Sequence, residues 1–335
     1  MRKVRIAQIG TSKMSHGNPV FKRLIDNPDV FEVVGVCFPE KEDEKWPENM
    51  AQFEGYKRLT LDEILNDETI EAVTVETEEI YLTKYALMCA KHNKHIHMEK
   101  PGGIDHKEFE ELISVMKETG KVFHTGYMYR YNPFVIELLE DIKKGELGDI
   151  ISVEAQMCTP PYGADAREWL GVFPDGMLYF LGCHLIDLVY SIKGKPEKVY
   201  PMSRSTNVEG VSTKDSGLCL MEYKSGMSFV KTCAYEFGGP MRRQLSVVGT
   251  KKTVEIRPLE ADGPASQSAH RKVYADKSWV APPVFDTAPR FDRYKGMLCS
   301  FAAMVRGEKT NPYTLDYELE LHKLILECCS SEVEK

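Results

Sequence analysis

Three groups of residues in this chain have the types and spacing that chemistry needs. The first is "HIHMEKPGG", residues 95–103, where a short apolar run ends in Glu99, Lys100 and Pro101 before a breaker cluster. A lysine at the carboxyl end of a parallel strand sits where open α/β sheets keep their ligands. Lys100 is therefore either a proton-exchanging group or a solvated surface charge. The second is "GTSKMS", residues 10–15, after the first strand-like run. A dinucleotide-binding turn places glycine at three positions here, but only Gly10 is present and Ser12 and Ser15 hold the other two. Serine is small, and its hydroxyl or N–H can face a phosphate at a helix N-terminus, so the fragment is either a weakened phosphate site or an ordinary tight turn. The third is "DGMLYFLGCHLIDLVYSIKG", read as one apolar helix starting at Gly176, on which Phe180, His184, Asp187 and Leu188 share a face. The polar pair is either a core histidine satisfied by Asp187 or a proton-transfer imidazole oriented by that carboxylate.

Other residue groups are less pointed. At the end of the second strand, "GVCFPEKED", an acid would accept hydrogen bonds from an adenosine ribose. Phe38 cannot, so either Glu40 reaches back, Lys41 meets a 2′-phosphate, or the nucleotide is held differently. His92, His95 and His97 lack a third ligand at metal-site spacing, and no metal is expected. The aromatic segments "GYMYRYNP" and "PPYGADAREWL" either line a sugar site, with Arg130, Asn132 or Arg167 donating hydrogen bonds and Trp169 packing on the sugar, or pack in a core.

The elements that must hold these residues follow a simple rhythm. "VRIAQIG", "FEVVGVC", "EAVTVE", "HIHM" and "KVFHTG" are β-rich runs separated by helical patterns. Thr60 and Glu63 form a capping box, while Asp105 and Glu108 introduce a helix with Phe109, Leu112, Ile113 and Met116 on its apolar face and Gly120 at its end. Alternation of this kind predicts an α/β domain with a doubly wound parallel sheet over residues 1–126. Asn132 and Pro133 then start another helix, after which long alternating runs predict an α+β domain over 127–335 with a mostly antiparallel sheet. Residues 258–290 show little periodicity and read as a surface excursion or subunit contact.

Composition narrows the function classes. The 335 residues are 42% hydrophobic and 28% charged, with a net charge of -8, which disfavours a general nucleic-acid binder. The nine cysteines show no CxxC pair, and no run is long and apolar enough to span a bilayer. A cytoplasmic protein with neither nucleic-acid nor membrane partners is expected.

Taken together, "EKP" at 99–101, "YRYNP" at 129–133, "GELGDI" at 145–150, "REW" at 167–169 and the "GCHLIDL" helix resemble the glucose-fructose oxidoreductase, inositol dehydrogenase and rhizopine catabolism family, Gfo/Idh/MocA. The resemblance covers almost the whole chain. It implies a Rossmann domain, a second domain with an open-faced sheet, a homo-oligomer (dimer or tetramer), NAD or NADP as cofactor, and a sugar-like substrate. By position it gives Lys100 and His184 the catalytic roles, with Asp187 in support. It places Gly10, Ser12, Ser15, Phe38, Thr77, Glu79, Glu99 and Pro101 at the cofactor and Lys100 and His184 at the substrate, where Arg130, Asn132, Arg167 and Trp169 join them if the aromatic segments line the pocket rather than a core.

The departures from the family pattern matter. Phe180 stands where a carboxylate commonly precedes the helix histidine, and Glu78 and Glu79 follow Thr77 where the family has proline and asparagine. The leading expectation is an NAD(P)-dependent oxidoreductase that moves a hydride to or from a hydroxyl carbon of a sugar, cyclitol or sugar derivative. The alternatives are a lyase or glycosidase that works through a transient keto-sugar with bound NAD, and a non-catalytic sugar or nucleotide sensor.

Overall fold

The computed structural model of the protein describes residues 2–14, 16–263 and 266–331. The chain divides into two compact units, residues up to 127 with 294–322, and residues 128–293 with the chain from 323 onward. In the first, strands β1 (Val4–Ile9), β2 (Phe31–Cys37), β3 (Ala72–Val75), β4 (His95–Met98) and β5 (Phe123–Thr125) form one sheet in the order β2-β1-β3-β4-β5. Every pairing is parallel. Helices α1 (Gly17–Ile25), α2 (Glu42–Lys45), α3 (Leu61–Asn66), α4 (Leu82–Lys91) and α5 (His106–Thr119) fill the crossovers. Ala72, Val73 and Val75 are all buried, as expected of a strand covered on both faces. The α5 cap forms as the sequence predicts: Asp105 Oδ1 accepts the N–H groups of Lys107 and Glu108 at 2.8 and 3.3 Å, and Gly120 follows the helix at φ +62°. Because β1 lies between β2 and β3, the strand order reverses beside it, and the carboxyl ends of β1 and β3 flank the crevice where such sheets hold ligands.

The second unit begins with α6 (Pro133–Lys143), whose cap Asn132 accepts the N–H groups of Phe134 and Val135 at 3.0 and 3.4 Å. Then come β6 (Ile150–Cys158), α7 (Ala164–Trp169), α8 (Met177–Phe180), α9 (Gly182–Lys193), β7 (Lys198–Arg204), β8 (Ser216–Glu222), β9 (Met227–Cys233), β10 (Gln244–Gly249) and β11 (Thr253–Ile256). The chain ends this unit's sheet work with β12 (Ala261–Gly263), β13 (Ser266–Ser268), β14 (His270–Tyr274) and β15 (Val284–Thr287). The eight-stranded sheet runs β15-β14-β11-β10-β6-β9-β8-β7 and is antiparallel except between β6 and β9. Alternate residues Gly217, Cys219 and Met221 of β8 point inward, and α9 lies against β6 and β9.

Two expectations change here. The apolar helix from Gly176 is broken at Leu181, so Phe180 ends α8 while His184, Asp187 and Leu188 ride on α9. Residues 258–290 are not only an excursion, since β14 and β15 extend the sheet at its edge. All of β15 is exposed, so these strands lack the alternation that marks a half-buried strand.

The chain beyond 293 corrects the expected domain division. Helix α10 (Lys295–Val305) and the first part of α11 (Leu315–Cys328) belong to the first unit. Phe301 packs on His97 and His124 with ring centroids 5.8 and 5.7 Å away. Asn311 Nδ2 donates to the Phe123 carbonyl and Thr125 Oγ1 to Glu318, both at 2.9 Å, while the His322 ring stacks on Phe109 at 4.1 Å. An amphipathic pattern shows that a helix buries a face, not which of two sheets it buries it against. Among the described residues no helix is long and apolar enough to cross a membrane.

Phe301 is fully buried, so Phe301→Ala is expected to cost about 3–5 kcal/mol of stability in denaturant unfolding. A loss below about 1 kcal/mol would show that α10 contributes little to the first unit.

Candidate active site

The carboxyl ends of β1 and β3 are in direct contact. Gly10 has φ +89°, and a Cβ on it would lie 2.6 Å from the Thr77 N and Cα atoms, so no other residue fits without moving the backbone. The next two residues are tied down by carboxyls. Thr11 N–H donates to Glu42 Oε2 at 3.1 Å, and Glu78 N–H donates to Glu42 Oε1 at 3.0 Å, so one buried carboxyl clamps the turn after β1 to the turn after β3. Ser12 Oγ donates to Glu79 Oε2 at 3.4 Å. The chain then enters α1 at Gly17, and Ser15 lies outside the described residues. A glycine with no room for a side chain, a serine hydroxyl and a following helix fit a dinucleotide phosphate.

The two carboxyls in this turn are not ordinary ones. Burial pushes Glu79 up to about 7, with Lys100 pulling against it, and pushes Glu42 up to about 8 against the N–H groups of Glu78 and Thr11. A buried carboxyl that holds its proton near neutrality repels an anion less than an aspartate in water. Phe38 offers no acceptor; its ring meets Phe53 edge-on at 4.9 Å and lies 4.4 Å beneath the Arg58 guanidinium. Glu40 does not reach back, because it accepts from Lys84 at 2.6 Å and Tyr85 at 2.7 Å. Lys41 is exposed and lies 3.8 Å from Glu44.

At the end of β4, Lys100 is only 2% exposed and its Nζ lies 3.7 Å from Glu99 Oε1. It is not a solvated surface charge. The Glu99 Oε2 atom lies 3.3 Å from His16 Nδ1. Burial acts to raise the Glu99 carboxyl, but His16, Lys100 and His97 together outweigh it and hold Glu99 low. Glu76, just past β3, goes the other way: burial, then the charges of Glu99 and Glu79, push it well above the usual carboxylate range. Neither Glu76 oxygen has a hydrogen-bond partner among the described residues, and nor does Glu79 Oε1. Behind them the Nδ1 atoms of His97 and His124 are 2.7 Å apart, so one ring donates to the other, and burial lowers His97 to about 4. One lysine and one ionised carboxylate are thus set among neutral or nearly neutral groups, with Pro101 directly following Lys100.

In the second unit the geometry reassigns several residues. Asp187 takes a two-pronged bond from Arg130, Nε to Oδ2 at 3.0 Å and Nη2 to Oδ1 at 2.8 Å. A planar guanidinium matches a carboxylate better than an imidazole does. Arg130 is therefore tied to α9. Asn132 spends its Oδ1 on the α6 cap and its Nδ2 on the Leu259 carbonyl at 2.7 Å. Arg167, fully buried, donates to the carbonyls of Tyr162 (2.9 Å) and Val208 (3.0 Å) and to Asp215 and Glu209. These donors, like the side chain of Asn132, have partners within the unit.

Trp169 stays a candidate. It stacks edge-on against Phe173 and Phe180 at 5.0 and 5.3 Å, and its Nε1 is buried with no hydrogen-bond partner among the described residues. The residue that replaces the family's carboxylate, Phe180, belongs to this aromatic cluster and lies flat on Phe173 at 5.7 Å. His184 sits in the first turn of α9, 1% exposed, with the Tyr129 ring 5.5 Å away.

Sequence reasoning missed Glu42 and Glu76. Glu42 lies inside the charged run "EKEDEK", which reads as a solvated face. Glu76 carried a usable signal, a carboxylate closing a strand whose other residues are buried. No three His, Cys, Asp or Glu side chains among the described residues are grouped to hold a metal ion.

Comparison with known proteins agrees with this layout. Residues 4–127 match the family model described as "Oxidoreductase family, NAD-binding Rossmann fold" and residues 135–255 match "GFO/IDH/MocA C-terminal domain". Together the two matches take in more than half of the chain. A D-xylose 1-dehydrogenase (NADP(+)) of Haloferax volcanii is 25% identical over 74% of this chain and 73% of its own. A scyllo-inositol 2-dehydrogenase (NAD(+)) of Bacillus subtilis is 25% identical over 95% of this chain and 91% of its own. Among solved structures, KijD10, a 3-ketoreductase from Actinomadura kijaniata with NADP and TDP-benzene, superimposes with a TM-score of 0.77 at 16% identity, over 97% of this chain and 96% of that one. It shares the fold.

The raised Glu79 carboxyl makes a pH prediction. Between the ordinary value of 4.5 and the folded value of about 7, the folded chain keeps a proton that the unfolded chain has released, so stability falls as pH rises through that window. Glu79→Gln lacks this loss and is expected to be more stable than the parent above pH 7 by up to roughly 3 kcal/mol, with no such gain near pH 4.5. Denaturant melts at the two ends of the window check it; an equal difference at both would mean Glu79 is not held protonated.

Proposed function

Because the chain belongs to the Gfo/Idh/MocA family of NAD(P)-dependent oxidoreductases, we propose that it transfers a hydride between the nicotinamide and a hydroxyl-bearing carbon of a sugar, cyclitol or sugar derivative. The observation that carries this reading is Lys100, buried at the end of β4 beside the ionised Glu99. The names of two relatives support it, a D-xylose 1-dehydrogenase and a scyllo-inositol 2-dehydrogenase.

The chain's own residues divide the work. Gly10, Ser12 and Thr77 form the turn that receives the dinucleotide, with Phe38 beside it, and Glu79, Glu99 and Pro101 border the nicotinamide end. When bound, the nicotinamide supplies the hydride acceptor or donor. Lys100 takes the proton of the substrate hydroxyl as the carbon–hydrogen bond breaks, and returns it in the reverse direction. Glu99, held low by His16, Lys100 and His97, keeps a negative charge near the lysine. His184 is the second proton-exchanging group, and Trp169 Nε1 is a donor for a substrate oxygen. The protein acts as a homo-oligomer in the cytoplasm. Val284 and Phe285 on β15, at 71% and 58% exposure, support a contact between copies.

A second reading is favoured by Phe180. With that side chain committed to an aromatic cluster, the second unit lacks the family's carboxylate, which suits a lyase or glycosidase that oxidises its sugar only transiently and regenerates bound NAD. It differs from the first in yielding product without net NADH.

Lys100→Met is expected to lower kcat by about 10²–10⁴ while dinucleotide still raises the thermal midpoint. Full activity in the variant, measured by NAD(P)H absorbance or by product formation on a sugar panel, would remove Lys100 from the reaction.

A further inference from the structure

Lys100 is 2% exposed, yet a group that gains or loses a proton in every turnover must exchange it with solvent. The carboxylate beside it has two sides. Glu99 turns Oε1 to the Lys100 Nζ at 3.7 Å and Oε2 to the His16 Nδ1 at 3.3 Å, so one buried carboxylate stands between the lysine and an imidazole. His16 directly precedes α1, but its side chain does not cap that helix. The ring lies against Tyr294, with centroids 5.3 Å apart, and keeps 18% of its side-chain surface in solvent. The other titratable groups around Glu99, namely His97, Glu76 and Glu79, are fully buried. Of these groups it is His16 that reaches solvent.

We propose that His16 is the proton outlet of the site, passing protons between Lys100 and solvent through the Glu99 carboxylate. The inference rests on the reading of Lys100 above and deepens it. In oxidation the substrate carbon gives its hydrogen as hydride to the nicotinamide, and the hydroxyl O–H bond gives its proton to the Lys100 amine. The ammonium then releases a proton to Glu99 Oε1. The carboxyl turns about its terminal torsion, which is broad in glutamate, and its proton leaves for His16 Nδ1. The Nε2–H proton of the imidazolium goes to water, which returns Lys100, Glu99 and His16 to their starting charges. Reduction runs the same path inward.

Two features suit this path. A Cβ at residue 126 would come within 3.3 Å of Glu99 Oε2, so Gly126 leaves the carboxyl room to turn. Against its own burial, Glu99 is held low by His16, Lys100 and His97, so a proton that lands there moves on. A hop uphill by about a factor of 10⁵ still runs at roughly 10⁷ s⁻¹, far above an ordinary turnover of about 1–10³ s⁻¹. Imidazole is the side chain that exchanges protons with water near neutral pH.

The test follows hydride and proton separately. Single turnovers of the full chain, with NAD⁺ or NADP⁺ and the fastest substrate from a panel of aldoses and inositols, are recorded in dilute buffer by nicotinamide absorbance and by a pH-indicator dye. In the parent, proton release keeps pace with NAD(P)H formation. In His16→Gln, which keeps a donor for Glu99 but cannot relay a proton, release falls behind. Its steady-state kcat drops by roughly tenfold or more, with KM and the thermal midpoint of the unliganded chain close to the parent's. His16→Ala shows the same loss, and millimolar free imidazole restores its turnover without affecting the parent. Proton release in step with NAD(P)H in both variants, or a loss of kcat that imidazole does not restore, would overturn the inference. His16 would then be only a charge partner of Glu99, and the oxidoreductase reading would stand. Should His16→Gln fail to fold, the imidazole response of His16→Ala decides. A parent that forms no NAD(P)H from any member of the panel counts against the oxidoreductase reading itself and takes the relay with it.

Discussion

A lysine at 2% exposure must be balanced, because an unpaired buried ion costs several kcal/mol. Around Lys100 that requirement organises the carboxyl ends of β1, β3 and β4. Glu99 supplies the charge and is held low by His16, Lys100 and His97 against its own burial. Burial first, and the charge of Glu99 after it, drives Glu76 well up, and burial against the pull of Lys100 raises Glu79 to about 7. His97 is lowered to about 4 for the same reason of burial. The cluster therefore contains groups on both sides of neutrality within one shell, which is the condition for moving a proton near physiological pH.

The fold keeps this shell dry and close to the nucleotide turn. Gly10 lets β1 end against Thr77 with no side chain between them, and Glu42 holds the N–H groups of both turns. The pairing of His97 with His124 is covered by Phe301 of α10, so the C-terminal chain contributes to the environment of a strand some two hundred residues earlier. In the second unit, the Arg130–Asp187 tether and the many bonds of Arg167 fix the frame that presents His184 and Trp169. Arginines that sequence patterns assign to substrate are instead buried and paired, as charge burial demands.

Much of this was legible before any coordinates. The five parallel strands, the Thr60–Glu63 capping box, the Asp105 cap and the Asn132 cap follow from local patterns that tertiary structure did not override. The position of Lys100 at a strand end was equally clear, although the resemblance rather than the residue itself gave it a function. What stayed hidden depends on distant partners. Nothing in "GCHLIDL" tells whether Asp187 prefers His184 or Arg130, which lies fifty-seven positions earlier. Glu42 is one acid among several in a charged run, and only the left-handed turn at Glu40 and Lys41 singles it out. The return of residues 294–322 to the first unit and the edge strands β14 and β15 are likewise matters of which surface is left uncovered.

The most direct measurement is a crystal structure of the protein grown with NADH. The account requires the pyrophosphate over the turn from Gly10 to Ser12 and the nicotinamide beside Lys100. A dinucleotide bound elsewhere, or a nicotinamide remote from Lys100 with the lysine still sealed by its carboxyls, would contradict it and reduce the buried lysine to a structural ion pair.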